Sequence, residues 1–483
     1  MRTRVYAMIP IHVAPQGARA VGACPGARDA SEESARTLLK KHLTIRPLLS
    51  AAAVCMLPMA VHAQAPAAAQ PSAPSVPAAP SLPAAPSQPA GMPYPGSIWY
   101  PAGGGFQPAG TQASTVSDQA SPAFQLRALA GVEHENNVLR TPGGGVSDTA
   151  FILGVGMRAD RRYGLQRFRA DVEANTYKYD KRSDLDYNVV NYALAWDWSL
   201  TPRFHGVASA DRKQYREVAT DPVALVNRVG RRTERNELFE GVFEAGARVR
   251  LLGGVSHSKA GSNQPATWDA SPEVSSGRVG VGYELGSGTS LTARYRRGDG
   301  EYTDPTPGAS RGDFEENEAD VVLKWPVTGK TAVEARLGHL ERNHDAGTQR
   351  DFSGMVGSAA LSWDVTGKTR VLAGMSRDLT ATGLATGGHV RSDRFFVGPV
   401  WKATALIAVN ARYDHISRDW KDVPGGSREV GRNESIWMLS AGVEWEPRRW
   451  LAVSGYLRGE RQKSNLNTGY RNTTVGAAVK AFF

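Results

Sequence analysis

The chain has 483 residues, 51 of them glycine, with 22% charged residues, a mean hydropathy of −0.36 and a formal charge of +10. The single long apolar run, 47–61, is too short and too early to span a bilayer, so a helical membrane protein is excluded. Residues 1–63 hold eight Lys/Arg against three Asp/Glu, leaving an interspersed 49 against 44 in the rest, which is no nucleic-acid footprint.

Residues 1–38 carry no pattern and form an unassigned extension. Residues 39–63 have the parts of a secretory signal peptide. Lys40, Lys41 and Arg46 are the basic region, 47–61 the apolar region, and Val61-His62-Ala63 a small-x-small site that places cleavage between Ala63 and Gln64. Cys55 follows Val54, where lipidation needs Gly, Ala or Ser. Both cysteines, Cys24 and Cys55, precede the cleavage point, so disulfide and thiolate–metal sites are excluded from the mature chain.

Residues 64–122 read as a Pro/Ala/Gly-rich linker. Between 64 and 117 there are twelve prolines and no charge, and seven prolines from Pro71 to Pro89 recur at every third position. That is the polyproline II period, and at ~3.1 Å per residue the run reaches on the order of 60 Å. It is a spacer or a docking strip; Pro/Ala linkers commonly do no more than space.

From 123 to 483 the chain alternates. Phe124, Leu126, Ala128 and Val132 interleave with Gln125, Arg127 and Glu133. Val190, Leu194, Trp196 and Trp198 interleave with Asn191 and Asp197, and Ala319, Val321, Leu323 and Trp325 with Glu318, Asp320 and Lys324. Period two places each set on its own face of a strand. Short turns recur about every 40 residues, near 202, 246, 287, 329, 367, 404 and 447. Trp198, Trp325, Trp363, Trp401 and Trp445 each stand just before one, as a periplasmic aromatic girdle would require. The other connections, such as 298–313 and 378–393, are long and charged. A sandwich core has no reason to gather tryptophans at one end of every second strand; a membrane interface does.

The expected fold is therefore all-β: a transmembrane antiparallel up-and-down barrel of about eighteen strands in the bacterial cell outer membrane, sixteen if the weak runs at 149–160 and 248–259 fail. A bore of that size is not filled by side chains. Parity sends Arg127, Arg167, Arg169, Arg250, Arg294, Arg296, Arg336, Arg412 and Arg458 into it, with Glu173, Glu318, Asp320, Glu334 and Glu444. These groups either pair and stiffen the wall or handle anionic chains. The last strand, with Val479, Ala481 and a terminal Phe483, resembles the signal read by the barrel-assembly machinery.

The repeated Val-Thr-Gly-Lys-Thr at 327–331 and 365–369 lacks the first glycine and the helix of a phosphate loop, so it is a turn. Arg-Gly-Asp at 297–299 and 311–313 falls in one expected outer loop. The histidines have no ligand spacing. No catalytic, metal-binding or cofactor-binding residue is assigned.

The segment Glu133-His134-Glu135-Asn136-Asn137-Val138-Leu139-Arg140 resembles the acidic-Asn-apolar-Arg segment of a family of outer-membrane β-barrels encoded in exopolysaccharide-biosynthesis operons, the β-barrel porin type 2 group. Thr201-Pro202-Arg203-Phe204 and the run 247–259 are similar to it as well, and the likeness extends over about 120–483. This chain departs at Glu133 and Glu135, where the family has paired aspartates. The resemblance implies a channel in exopolysaccharide export, with lipid, a polysaccharide and secretion-complex proteins as partners and no enzymatic residues. A general diffusion porin and a surface adhesion barrel are the alternatives.

Overall fold

Strands in hydrocarbon must satisfy every backbone group by pairing, and only a closed ring leaves no edge. The computed structural model describes residues 123–218, 229–262, 272–286, 288–302, 313–345, 351–381, 388–426, 429–466 and 469–483. The extension, the signal peptide with its Ala63/Gln64 site and the proline-rich linker lie outside the described residues.

Eighteen strands follow in chain order: β1 Phe124–Glu135, β2 Asp148–Tyr163, β3 Gln166–Tyr179, β4 Tyr187–Thr201, β5 Phe204–Val218, β6 Val229–Glu244, β7 Val249–Ser262, β8 Pro272–Gly286, β9 Thr289–Tyr302, β10 Phe314–Thr328, β11 Thr331–His344, β12 Phe352–Asp364, β13 Thr369–Ala381, β14 His389–Lys402, β15 Ile407–Lys421, β16 Asn433–Arg448, β17 Leu451–Ser464 and β18 Arg471–Phe482. Each pairs antiparallel with the next, and β1 pairs with β18 to close the ring. At the seam Leu126 N–H donates to Phe483 O at 3.0 Å and Phe483 N–H to Leu126 O at 2.9 Å. The two weak runs are strands β2 and β7, so the number is eighteen.

Register partners run from Arg127 to Gly156, Glu173, Asn191 and onward. One circuit returns to β1 displaced by about 22 residues, a stagger that tilts the strands by roughly 40° and gives a backbone radius of roughly 17 Å.

The connections differ by end. At one end lie short ones, 164–165, 202–203, 245–248, 287–288, 329–330, 365–368, 403–406 and 449–450; at the other they are longer, from 465–470 to 136–147. Two expected loops are corrected here. β9 continues to Tyr302, so Arg297, Gly298 and Asp299 are paired strand residues and not an exposed loop tripeptide. Likewise β13 reaches Ala381 and β14 begins at His389. Above the bilayer both faces of a strand meet water, so the apolar alternation stops before the hydrogen-bonded ladder does.

The two faces separate as period two requires. On the outside Leu153, Val155, Leu337 and Leu439 are 65%, 61%, 62% and 62% exposed. Five such positions per strand, as from Ala319 to Val327 on β10, cover a belt about 20 Å tall. Trp325, Trp363, Trp401 and Trp445 are exposed on this face near the short turns. Trp198 shares the face but is only 6% exposed. Its ring lies flat over Gly206, its register partner, and Gly241 beyond it, stacked on Phe239 at 5.6 Å and edge-on to Phe204 at 5.1 Å.

Candidate functional site: the inner wall

The polar face of each strand turns inward. Its longest feature is a chain of alternating charges on β9, β10 and β11. Arg294 grips Asp320 with two bonds of 2.8 Å, and Asp320 also takes Arg336 Nε at 2.7 Å. Arg336 pairs with Glu318, which accepts from Arg296 at 2.8 Å. Arg296 reaches Glu316 at 2.9 Å, and Glu316 holds Arg342 at 2.9 Å. Four guanidiniums and three carboxylates thus follow one another toward the long-loop end, where Arg342 sits 4.2 Å from the Phe314 ring centroid and 5.2 Å from that of Phe352. Planar guanidinium suits this work, because its fork binds two carboxylates at once.

A shorter set lies on β14 and β15. Asp414 accepts from Arg394 at 2.6 Å and from Arg412 at 2.7 Å, and Arg412 stacks over Phe396 at 4.1 Å. On β6 and β8 Glu240 faces Arg278 at 2.6 Å.

Glycines make room for these side chains. A Cβ on Gly156 would come within 3.1 Å of the Arg127 guanidinium, which crosses β2 to reach Asp171 on β3. Gly282 leaves the same space for Arg250, which crosses to Glu284 at 2.7 Å. Gly156 and Gly282 are thus grooves in which arginines lie flat.

Of the nine arginines assigned by parity, eight contact a carboxylate. Arg167 meets Asp160 at 2.7 Å and Arg169 meets Asp197 at 2.8 Å; Arg458 donates to Thr474 Oγ1 at 3.4 Å. Of the inward acids, Glu173 accepts from Asn191 at 3.1 Å and Glu444 from Lys480 at 2.9 Å. Val479 and Phe483 are exposed on the outer face of the last strand. Sequence reading omitted Glu316, Arg342, Arg394, Asp414, Glu240 and Arg278. Parity alone would have added Arg278 and Arg394. Glu316 and Arg342 lie above the apolar belt, where no alternation marks a face.

At the long-loop end the segment 135–140 turns inward over the seam. Glu135 pairs with Arg140, with Arg216 of β5 at 2.7 Å and with Asn472 of β18 at 3.0 Å. Asn137 Nδ2 donates to Arg471 O at 3.0 Å, and Asn137 N–H to Asn472 Oδ1 at 3.1 Å. Val138 is fully buried against Ala150, Tyr179 and Leu185. Arg140 holds φ 50°, which points its side chain back to Glu135. The residues that carried the family resemblance form this clasp between first and last strands. Among the described residues no group of three His, Cys, Asp or Glu side chains is arranged to hold a metal ion.

A closed eighteen-strand ring with a charged inner wall and an apolar outer belt is a porin-like outer-membrane β-barrel. Residues 315–483 match the family described as "Putative beta-barrel porin 2". The match begins on β10, beyond the three segments that carried the resemblance. No curated protein matches the chain. Among solved structures it is similar to the outer-membrane protein OpdK of Pseudomonas aeruginosa, at 12% identity and TM-score 0.42 over 74% of this chain and 99% of that one. It is also similar to OccK2 (OpdF) of Pseudomonas aeruginosa in complex with glucuronate (14%, 0.41, 75% and 98%) and to OccAB3 of Acinetobacter baumannii (12%, 0.39, 74% and 99%).

Proposed function

We propose that the barrel is an outer-membrane conduit for a secreted polysaccharide carrying carboxylate groups. The observation that carries this reading is the run of shared ion pairs from Arg294 to Arg342. Each internal member has two opposite partners. A substrate carboxylate can replace a wall carboxylate at a guanidinium without leaving a buried charge unpaired, which is the costly outcome. Arg296, at 17% side-chain exposure, is the most open of the arginines in this run. Passage along the wall is then an exchange of partners.

The assembly machinery, acting on the last strand, and envelope proteins of the secretion complex complete the reading. Deleting the chain is expected to abolish extracellular polysaccharide while leaving its intracellular synthesis intact; unchanged secretion rejects the proposal. A second reading, a general diffusion porin, draws on the near balance of signs along the wall. Planar-bilayer recording separates them: current blocked by the secreted polysaccharide supports export, and a large unselective conductance without block supports diffusion.

A further inference from the structure

Above the apolar belt, on the outer face, five cations of the long-loop rim sit against carboxylates. Lys178 is 2.9 Å from Asp186, Lys259 2.6 Å from Glu273, Arg297 2.9 Å from Glu315, Arg377 2.6 Å from Asp393 and Arg391 2.6 Å from Asp419. On β16, β17 and β18 the outer-face cations Arg461, Lys463 and Arg471 have no carboxylate within 4 Å among the described residues. Arg461 and Arg471 are direct register partners, and Trp437 faces Arg461 from the other side. Lys463 shares their face, its Nζ 5.7 Å from the Trp437 ring centroid.

All three cations are exposed, and their outward neighbours Asn433, Ser435, Gly459 and Thr473 are neutral. Like charges directly opposite each other destabilise a strand pair, so this arrangement is relieved by an anion lying between them. His415 extends the patch, its ring 5.4 Å from Trp437 and its Nδ1 buried without a hydrogen-bond partner. Toward the short turns the same strands expose Leu439, Leu457 and Val475 at 62%, 52% and 53%. The order along the barrel axis is therefore acyl-compatible surface, indole, cations, which is the order of groups in a membrane lipid with a phosphorylated head.

We propose that this sector binds a phosphorylated glycolipid of the outer leaflet. Its phosphates lie among Arg461, Lys463 and Arg471, and its acyl chains lie on Leu439, Leu457 and Val475. The inference rests on the reading that the long connections face the cell exterior.

The test mixes the full chain, folded in mild detergent, with bisphosphorylated lipid A, with the same lipid dephosphorylated, or with inorganic phosphate, and counts bound species by native mass spectrometry. Bisphosphorylated lipid A is expected to stay bound. The triple variant Arg461→Gln, Lys463→Gln, Arg471→Gln is expected to weaken it at least about tenfold, while Arg377→Gln, whose rim guanidinium is already paired with Asp393, leaves it unchanged. Equal retention by the folded triple variant overturns the proposal, as does equal retention of the dephosphorylated lipid. Displacement of the lipid by an equal concentration of inorganic phosphate also overturns it, in favour of a free-anion site. Protease protection of the barrel in intact envelopes reports the membrane reading separately, so its failure is distinguishable from a failure of lipid selectivity.

Discussion

Glu135 shows how much one carboxylate can hold. It is 2% exposed and stands between two guanidiniums, those of Arg140 and Arg216. Replacing it with alanine leaves two buried positive charges facing each other. Glu135→Ala is expected to cost about 3–5 kcal/mol, read as a lower urea midpoint for the barrel in vesicles. Glu135→Gln, which keeps one of the two acceptor oxygens but loses the charge, should fall between. Asp186, in the connection after β3, gives a pH-dependent case. The Tyr179 backbone N–H first, and the Lys178 ammonium second, hold its carboxyl below its ordinary value of 3.8. A depressed carboxylate contributes order that is present above its unfolded value and lost as pH falls through the folded one. The protection factor of the Tyr179 amide, which divides out the intrinsic pH dependence of exchange, should therefore be high at neutral pH and fall below about pH 4. In Asp186→Ala it should be low at both. At this scale period two, a property of one strand, sorts the arginines of each strand by face. The sequence concealed every partner, because Arg127 finds Asp171 only once β1, β2 and β3 are in register.

The strands keep their curvature and register by setting rings over glycines. Tyr456 of β17 lies over its partner Gly476 of β18, where a Cβ would meet the ring at 2.4 Å, and its hydroxyl bonds Glu133 of β1. Phe314 covers Gly300 and Phe396 covers Gly374 in the same manner. Gly476→Ala is expected to cost about 1–3 kcal/mol and to slow insertion, scored by the heat-shifted band on gels. Adding Tyr456→Ala should recover part of that loss, whereas an additive defect would show that the ring and the glycine do not interact. Element identity was legible from alternation between tryptophan and turn. Element length was not: β9 continues through Arg297, Gly298 and Asp299, whose polar faces both meet water and so carry no periodic signal. Trp198 was legible as an outward residue, but not as one pressed against two glycines, since the second of them comes from a strand two places away.

For the whole ring, the wall charges are nearly balanced, and selectivity follows from which members are free to exchange. Glu318→Gln takes one carboxylate from between Arg296 and Arg336. The bore should then favour anions, with a change of roughly twofold in the anion-to-cation permeability ratio, read from reversal potentials in a salt gradient. Arg296→Gln should move the ratio the opposite way. The eighteen-strand count and the closed topology could be anticipated from alternation and turn spacing, whereas the stagger of about 22 residues could not, because it accumulates from small offsets between all neighbouring strands.

The pairing of β1 with β18 has a consequence of its own. The hydrogen bonds between Leu126 and Phe483 join the two ends of the folded segment as strand neighbours. The ring itself has no privileged origin: a rewired gene that opens between β12 and β13 and tethers residue 483 to residue 124 through a few glycines should, when its product is refolded in detergent without the assembly machinery, trace the same circle from a new starting point.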